Sequence, residues 1–462
     1  MPGFRFVTRF AFASVLVMSV VGQFPGGVLG QASAQDVQGM MPPPPEAAPV
    51  VVDVPAASPA TTPASATVAP AEARPRANRQ RQARNAAKRG SAARVAAATS
   101  RARVVLKDDP RPTFTPDTFL ATARAAGLYL DIVQAGGWPE VPRALKAGAK
   151  GPAVTALRRR LAMEGDLAPD LADEETYDAT LVEAVKRFQY RYGLTQNGQV
   201  SGATLEQMNV PAQVRYHQLN ESARRMAGRE FSFGDRYVIV NIPAASAEAI
   251  ENGRVVRRYV AVVGRPDRAS PEVTTKITGV RFNPTWTVPK SIAQKDIIPK
   301  IIKDRGTLSK MRLKVLDGQG KEVDPARVNW QRELEEPRFT LRQEPGPGNS
   351  LGAIRVNMPN SDAVFMHDTP NKELFGGDFR FNSSGCVRVE GIRELAAWIM
   401  RDEGYDKEAV EAAIRERDMQ DHQLADPIPV TWVYLTGFVT EDGLVNFRDD
   451  IYGLDVPRFA SR

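Results

Sequence analysis

The chain has 462 residues, 42% hydrophobic and 25% charged, which is ordinary for a globular protein and enough for two or three domains with sizeable cores. It holds one cysteine, Cys386, and three histidines, His217, His367 and His422, so an intrachain disulfide is excluded and a structural zinc site is not expected. The net charge of +7 belongs to the N-terminal part: residues 1–103 hold twelve Arg/Lys against four Asp/Glu, and the rest of the chain carries 49 basic and 50 acidic groups. The basic average therefore gives no support to a nucleic-acid-binding fold, and no motif calls for a cofactor or a metal.

Residues 1–34 read as an export signal. Arg5 and Arg9 precede an apolar run from Phe10 to Val21, and Ala32-Ser33-Ala34 fits a cleavage site. An uncleaved membrane anchor is the alternative, although twelve residues fall short of the ~20 that a spanning helix needs. Residues 35–73 are rich in Pro and Ala, with ten prolines between Pro42 and Pro75, and residues 74–103 hold ten Arg/Lys and no acid. Neither stretch has the apolar content to offset the entropy of ordering, so 35–103 is expected to be a disordered linker. The ten cations leave two readings open: a solvated tether, or a contact with an anionic envelope polymer.

From Thr113 the pattern turns globular. A helix is expected over Phe119–Leu130, broken by Gly136-Gly137-Trp138-Pro139. Residues 113–143 and 211–232, with a helix near 212–227, read as a helical scaffold around a compact unit at 144–210. In that unit Val154, Leu157 and Leu161, and then Leu181, Val185, Phe188 and Tyr192, recur at helical spacing. Spacing alone gives a small helical bundle. The pieces Leu145-Lys146-Ala147-Gly148, Tyr177-Asp178, Phe188-Gln189, Gly193-Leu194 and Asn197-Gly198 make it similar to the three-helix peptidoglycan-binding module, and the ligand follows only from that resemblance.

Beyond Ser232 the hydrophobic period changes to two. Strands are expected at Tyr237–Ile242 and Arg254–Val263, with Asn252-Gly253 as a tight turn, and again at 354–358, 363–367 and 430–439. Helices are expected at 391–401 and 406–417. A β-rich domain is therefore placed at 233–455, interrupted by a polar helix-and-loop insertion at about 289–342 that has the length of a lid.

Val364-Phe365-Met366-His367 reads as a strand that delivers a histidine. Nineteen positions later Ser383-Ser384-Gly385-Cys386-Val387-Arg388 sets the cysteine directly after a glycine. A thiol is mostly protonated at neutral pH and needs a base or a cation beside it to attack; an imidazole can take that proton and return it to an amine. The backbone N–H groups of Gly385 and Cys386 are candidates for holding a developing oxyanion. Taken singly, Cys386 is more often a small buried hydrophobe and His367 more often a structural residue. Their combination with the Ser-Ser-Gly lead-in, in a chain otherwise free of cysteine, favours a nucleophile and its base.

This stretch resembles the L,D-transpeptidases of the bacterial cell wall (YkuD-type catalytic domain), whose signature is a histidine followed at such a distance by Ser/Thr-His-Gly-Cys-apolar-Asn/Arg. Ser384 stands where many members have histidine, and Arg388 stands for Asn, as in the large subgroup with a helical scaffold, a peptidoglycan-binding module and a lid insertion. Asn283-Pro284-Thr285-Trp286, Arg342-Gln343-Glu344-Pro345-Gly346-Pro347, Asn349-Ser350-Leu351-Gly352, His367-Asp368-Thr369-Pro370 and Asp449-Asp450-Ile451-Tyr452-Gly453 also match that subgroup. The expected architecture is multidomain α+β: a β-rich catalytic domain with a lid insertion, preceded by the small peptidoglycan-binding-like domain and its helical scaffold.

The resemblance implies that Cys386 attacks the third stem residue of a tetrapeptide donor, that His367 protonates the departing D-alanine, and that an amine of another stem closes a 3→3 crosslink. Water as acceptor would make an L,D-carboxypeptidase, and a protein acceptor a wall-linking enzyme. A carbapenem, whose strained lactam imitates the donor amide, is expected to acylate Cys386. The implied location is the periplasm. Within the implied site, the backbone carbonyl of Asp368 is the expected partner that orients His367. Arg388 fixes a substrate carboxylate or forms a structural salt bridge, and Ser384 and Phe365 adjoin the substrate. Phe365 replaces a tyrosine common in the subgroup. Trp286 and Trp330 line the cleft beneath the lid or simply pack. Two other readings compete: a papain-like endopeptidase, which places Cys before His and so disagrees with this order, and a non-catalytic wall-binding scaffold.

Overall fold

Helical spacing of apolar side chains accounts for the first half of the computed structural model, which describes residues 105–455. The expected signal 1–34 and linker 35–103 lie outside the described residues. Five helices form: α1 (Thr118–Gln134), α2 (Pro152–Met163), α3 (Ala179–Arg191), α4 (Ala203–Met208) and α5 (Ala212–Met226). Pro152 opens α2, where its missing N–H costs nothing, and the Asp178 carboxylate caps α3 by accepting from the Leu181 N–H. Val154, Leu157 and Leu161 of α2 and Leu181, Val185 and Phe188 of α3 are fully buried, packed with Tyr129 of α1 and Leu219 of α5.

The second half opens with β1 (Arg236–Asn241), β2 (Ser246–Glu251), β3 (Arg254–Gly264) and β4 (Val273–Phe282). Asn252 and Gly253 both take positive φ, +50° and +74°, the geometry of a tight hairpin between β2 and β3. An insertion follows, with β5 (Trp286–Thr287), α6 (Ile298–Lys303), β6 (Leu313–Leu316), α7 (Trp330–Glu335) and β7 (Thr340–Gln343). The chain then returns through β8 (Ile354–Asn357), β9 (Met366–His367), β10 (Phe381–Ser383), β11 (Val387–Val389), α8 (Ile392–Ile399), α9 (Lys407–Arg415), β12 (Gln420–Val433), β13 (Gly437–Val439) and β14 (Val445–Phe447).

The principal sheet has the order β10-β3-β11-β9-β8-β4-β12-β1-β2, and β3 pairs with β2 as well, so the sheet closes on itself. Its inner face holds Val240, Ile277, Phe282, Val356, Met366, Val387, Val389 and Trp432, with Ile392, Leu395 and Ile399 of α8 against them. The architecture is α+β, as expected.

Four details depart from the sequence reading. β2 is not among the expected strands, because Ser-Ala-Glu-Ala-Ile-Glu lacks a β-branched run; pairing with β1 on one side and β3 on the other holds it extended. The strand expected at 363–367 shrinks to two residues, since Ala363 turns to φ +53° and the Asn360 side chain takes the Val364 N–H and carbonyl. The strand expected at 430–439 starts ten residues earlier and stops at Val433, because the long β4 carries the polar stretch from Gln420 into the ladder. The insertion is not merely helix and loop. β5, β7 and β6 form a small antiparallel sheet, and Ile297, Ile301, Val315, Trp330 and Leu341 form a core of its own.

The cut at residue 233 is not clean in space either. The hairpin β13–β14 leaves the β-rich part and enters the helical part, where Val439 and Phe447 join the core of α1, α2, α3 and α5. Gly437 lies so close to α5 that a Cβ would sit 3.0 Å from the Leu219 nitrogen. Gln218 donates to the Arg448 carbonyl, Gln207 to Asp449, and Arg191 to the Val445 carbonyl at 2.7 Å.

Candidate active site

Strand alternation builds the site. On β9 Met366 points into the sheet's core, so His367 points to the opposite face, while Phe365, just before the strand, packs partly against that core. On β11 Val387 and Val389 are buried inside and Arg388 takes the outer face, while Cys386, just before the strand, packs partly against the core. On β8 Ile354 and Val356 are inside and Arg355 is outside. The registers Arg355↔His367 and Arg388↔His367 then set an arginine on each side of the histidine across three neighbouring strands, with Cys386 at the mouth of β11. The Val387 N–H donates to the Phe365 carbonyl at 3.1 Å, which fixes the thiol-bearing turn against β9.

His367 is 5% exposed, and its Nδ1 faces the Asp368 carbonyl oxygen at 2.5 Å. A carbonyl only accepts, so Nδ1 carries the proton and Nε2 keeps its lone pair. The Asp368 carboxylate turns the other way: it accepts from the Ala353 N–H at 3.0 Å and pairs with Lys372. Gly352, at φ +62°, is required here, since a Cβ would come within 2.5 Å of that carboxylate. Burial, then the Arg388 charge, hold the His367 imidazolium down to about 3, with Arg355 adding to the effect. Burial likewise pushes the Cys386 thiol up, against a Phe365 backbone hydrogen bond and the charges of Arg355 and Arg388, which favour the thiolate.

The turn that carries the nucleophile candidate is held by side chains whose part in it the sequence does not reveal. Ser383 Oγ donates to the Cys386 carbonyl at 2.5 Å and accepts the Gly385 N–H at 3.2 Å. Ser270 Oγ donates to the Gly385 carbonyl at 2.7 Å, and Tyr452 steadies Ser270 by accepting its N–H while donating to the Gly264 carbonyl. Gly385 has φ +118°, so glycine is needed for the backbone angle. Its N–H, expected as an oxyanion donor, is already taken by Ser383; the Cys386 N–H is the donor candidate that remains in this turn.

Phe365 lies between the two basic side chains: Arg355 stacks over its ring at 4.2 Å, and His367 meets it edge-on at 5.7 Å. Arg388 forms no ion pair among the described residues, so the structural salt bridge considered for it is not what holds it. Ser384 is exposed and accepts from Arg268 at 3.0 Å, and Arg268 also pairs with Asp296 of the insertion. Trp286 is not brought to this group; it packs on the core of the insertion, where Trp330 is buried.

Residues 235–429 match the family model described as "L,D-transpeptidase catalytic domain", and residues 150–208 match that described as "Putative peptidoglycan binding domain". A curated relative from Haemophilus influenzae, described as "Putative L,D-transpeptidase", is 32% identical over 218 residues, 47% of this chain and 44% of its own. The chain thus matches less than half the length of that relative. Two solved L,D-transpeptidase structures are also similar. That from Xylanimonas cellulosilytica has 14% identity over 64% of this chain and 99% of its own, with a TM-score of 0.21. That from Stackebrandtia nassauensis has 13% identity over 64% and 96%, with a TM-score of 0.24. The two family matches bear out the resemblance read from the sequence for both parts: a catalytic domain of the L,D-transpeptidase type and a peptidoglycan-binding region before it.

Proposed function

We propose that this protein is an exported cell-wall L,D-transpeptidase acting in the periplasm, with Cys386 as nucleophile and His367 as its base and acid. The observation that carries the reading is the committed tautomer of His367: Nδ1–H is given to the Asp368 carbonyl, which leaves Nε2 its lone pair on β9, the strand paired with the one that follows Cys386. Nε2 takes the Cys386 proton as sulfur attacks the carbonyl at the L-centre of the third stem residue. The resulting oxyanion is met by the Cys386 N–H. On collapse Nε2–H protonates the nitrogen of the terminal D-alanine, the C–N bond breaks, and a thioester remains. An amine of a second stem then attacks the thioester, losing its proton to Nε2; the C–S bond breaks and the thiol is restored, leaving a 3→3 crosslink. Water in place of the amine would give L,D-carboxypeptidase activity.

The helical module at 144–210 would hold the glycan from which the stems project. Among the described residues no helix is long and apolar enough to cross a membrane. The test is incubation of the full chain with a disaccharide-tetrapeptide, followed by mass spectrometry. A thioester on Cys386 with release of D-alanine is expected for the wild type and not for Cys386→Ala. Absence of both, with an amine acceptor present, overturns the reading in favour of a non-catalytic scaffold.

A further inference from the structure

Two peptide planes meet at the Cα of Cys386, and each is fixed by a group outside it. In the plane that follows, the Val387 N–H is held by the Phe365 carbonyl and the Cys386 carbonyl by Ser383 Oγ. In the plane that precedes, the Gly385 carbonyl accepts from Ser270 Oγ at 2.7 Å. The far end of that same plane is the Cys386 N–H. A peptide unit is flat and trans, so its C=O and N–H point in opposite directions and neither swings without the other. Gly385, at φ +118°, lacks the Cβ that would restrict this plane, so its orientation rests on what grips its oxygen.

Resting on the reading above, we infer that Ser270, held in place by Tyr452, is a positioning residue: by anchoring the Gly385 carbonyl it aims the Cys386 N–H at the oxyanion before the oxyanion forms. Such a donor stabilises developing charge only if it is already oriented when the charge appears. Ser270 is 4% exposed and ends a loop that turns at Arg265–Arg268 and folds back on the end of β3, where the Arg268 N–H donates to the Arg265 carbonyl at 2.9 Å. That return needs Gly264, since a Cβ there would come within 2.3 Å of the Arg268 carbonyl oxygen and 2.4 Å of the Ser270 nitrogen. Ser270 Oγ accepts the Gly264 N–H at 2.9 Å, and its single proton goes to Gly385, because a carbonyl only accepts. Tyr452 holds the same residue from the C-terminal turn. Its hydroxyl accepts the Ser270 N–H at 3.2 Å and donates to the Gly264 carbonyl at 2.7 Å, while its ring stacks on Tyr434 at 5.3 Å. The hydroxyl that grips the plane therefore has no rotation left, and hydrogen bonds joined in such a chain polarise one another.

The experiment compares two reactions of the same thiol in the full chain. Acylation by a disaccharide-tetrapeptide passes through an oxyanion; alkylation by iodoacetamide displaces iodide and forms none. Both are followed on Cys386 by mass spectrometry in the wild type, Ser270→Ala, Ser270→Thr and Tyr452→Phe. Ser270→Ala is expected to lose about 30-fold in the acylation rate at saturating donor, somewhat less than outright removal of an oxyanion donor costs. The donor concentration at half-saturation is expected to stay the same, as for an interaction made in the transition state, and the alkylation rate to stay within about twofold of the wild type, since the thiol itself is untouched. Ser270→Thr keeps a hydroxyl and is expected to recover most of the acylation rate. Tyr452→Phe keeps the stacked ring and the Ser270 hydroxyl and is expected to fall between; it decides the matter if Ser270→Ala fails to fold. Acylation at the wild-type rate in whichever of these two variants folds overturns the positioning role and leaves the transpeptidase reading intact. So does an equal fall in acylation and alkylation, which would mean that Ser270 merely supports the turn. A wild type that forms no thioester overturns both.

Discussion

His367 has its δ nitrogen committed to the Asp368 carbonyl and its charged form disfavoured by burial and by Arg388, while burial holds the Cys386 thiol protonated. At neutral pH the pair is therefore thiol and neutral imidazole, not a thiolate–imidazolium pair. The sign of the pH dependence follows. Below a raised thiol pKa the thiolate fraction grows with pH, and the imidazole does not charge until about pH 3. Alkylation of Cys386 by iodoacetamide is expected to climb about tenfold per pH unit between roughly pH 6 and 8, with no plateau; a plateau there would mean that the neighbours already ionise the thiol. Cys386 and His367 are legible in the sequence because strand alternation and a short spacing express their relation along the chain. Arg355 and Ser270 are not, and Tyr452 shows there only as part of a matching motif, without its role. They reach the same few residues through β8, the β3–β4 loop and the C-terminal turn, and register between distant strands leaves no trace in local composition.

The insertion is an element with its own core, hung between two short strands. Its stems are fastened by buried amides. Asn349 donates to the Pro284 and Glu344 carbonyls at 3.0 Å each, Gln343 donates to the Met311 and Gly348 carbonyls, and Asn283 donates to the Ala413 carbonyl at 3.1 Å. The motifs around 283–286 and 342–352, recognisable in the sequence by resemblance, are thus joints in the structure. Farther out, the insertion touches the turn that bears Cys386 through a relay from Asp296 to Arg268 to Ser384. The ion pair is partly exposed, with the Asp296 side chain 33% accessible, so its worth is about 1 kcal/mol. Asp296→Asn is expected to raise the open population of the insertion about fivefold at that energy. Faster amide exchange over residues 293–303 and a matching rise in Cys386 alkylation would report it; unchanged exchange there would place the hold on the insertion elsewhere. The small sheet of the insertion escapes a sequence reading because its strands are two to four residues long, too short for a period to show.

For the molecule as a whole, the two family matches stop at residues 208 and 429, and the hairpin that joins the parts lies beyond both. Phe447 sits between Tyr129 and Tyr192, 5.4 Å and 5.2 Å from their ring centroids, and is 1% exposed. Phe447→Ala is expected to destabilise by about 3–5 kcal/mol. Because the hairpin belongs to both cores, calorimetry should show one transition shifted down rather than a helical transition alone; two separate transitions, with only the first displaced, would mean that the parts melt independently. Nothing in the sequence announces this joint, since a helix near residue 185 and a strand near 446 carry no mark of each other. The hairpin also bears on the order in which the chain matures. Val439 and Phe447 complete the core around α1, α2 and α3, so the segment made early must wait for residues some 254 positions farther along the chain. A chain that emerges from its N-terminus cannot close its helical part until the whole β-rich part up to that hairpin has been delivered, and a product stopped short of residue 437 would leave that early segment open.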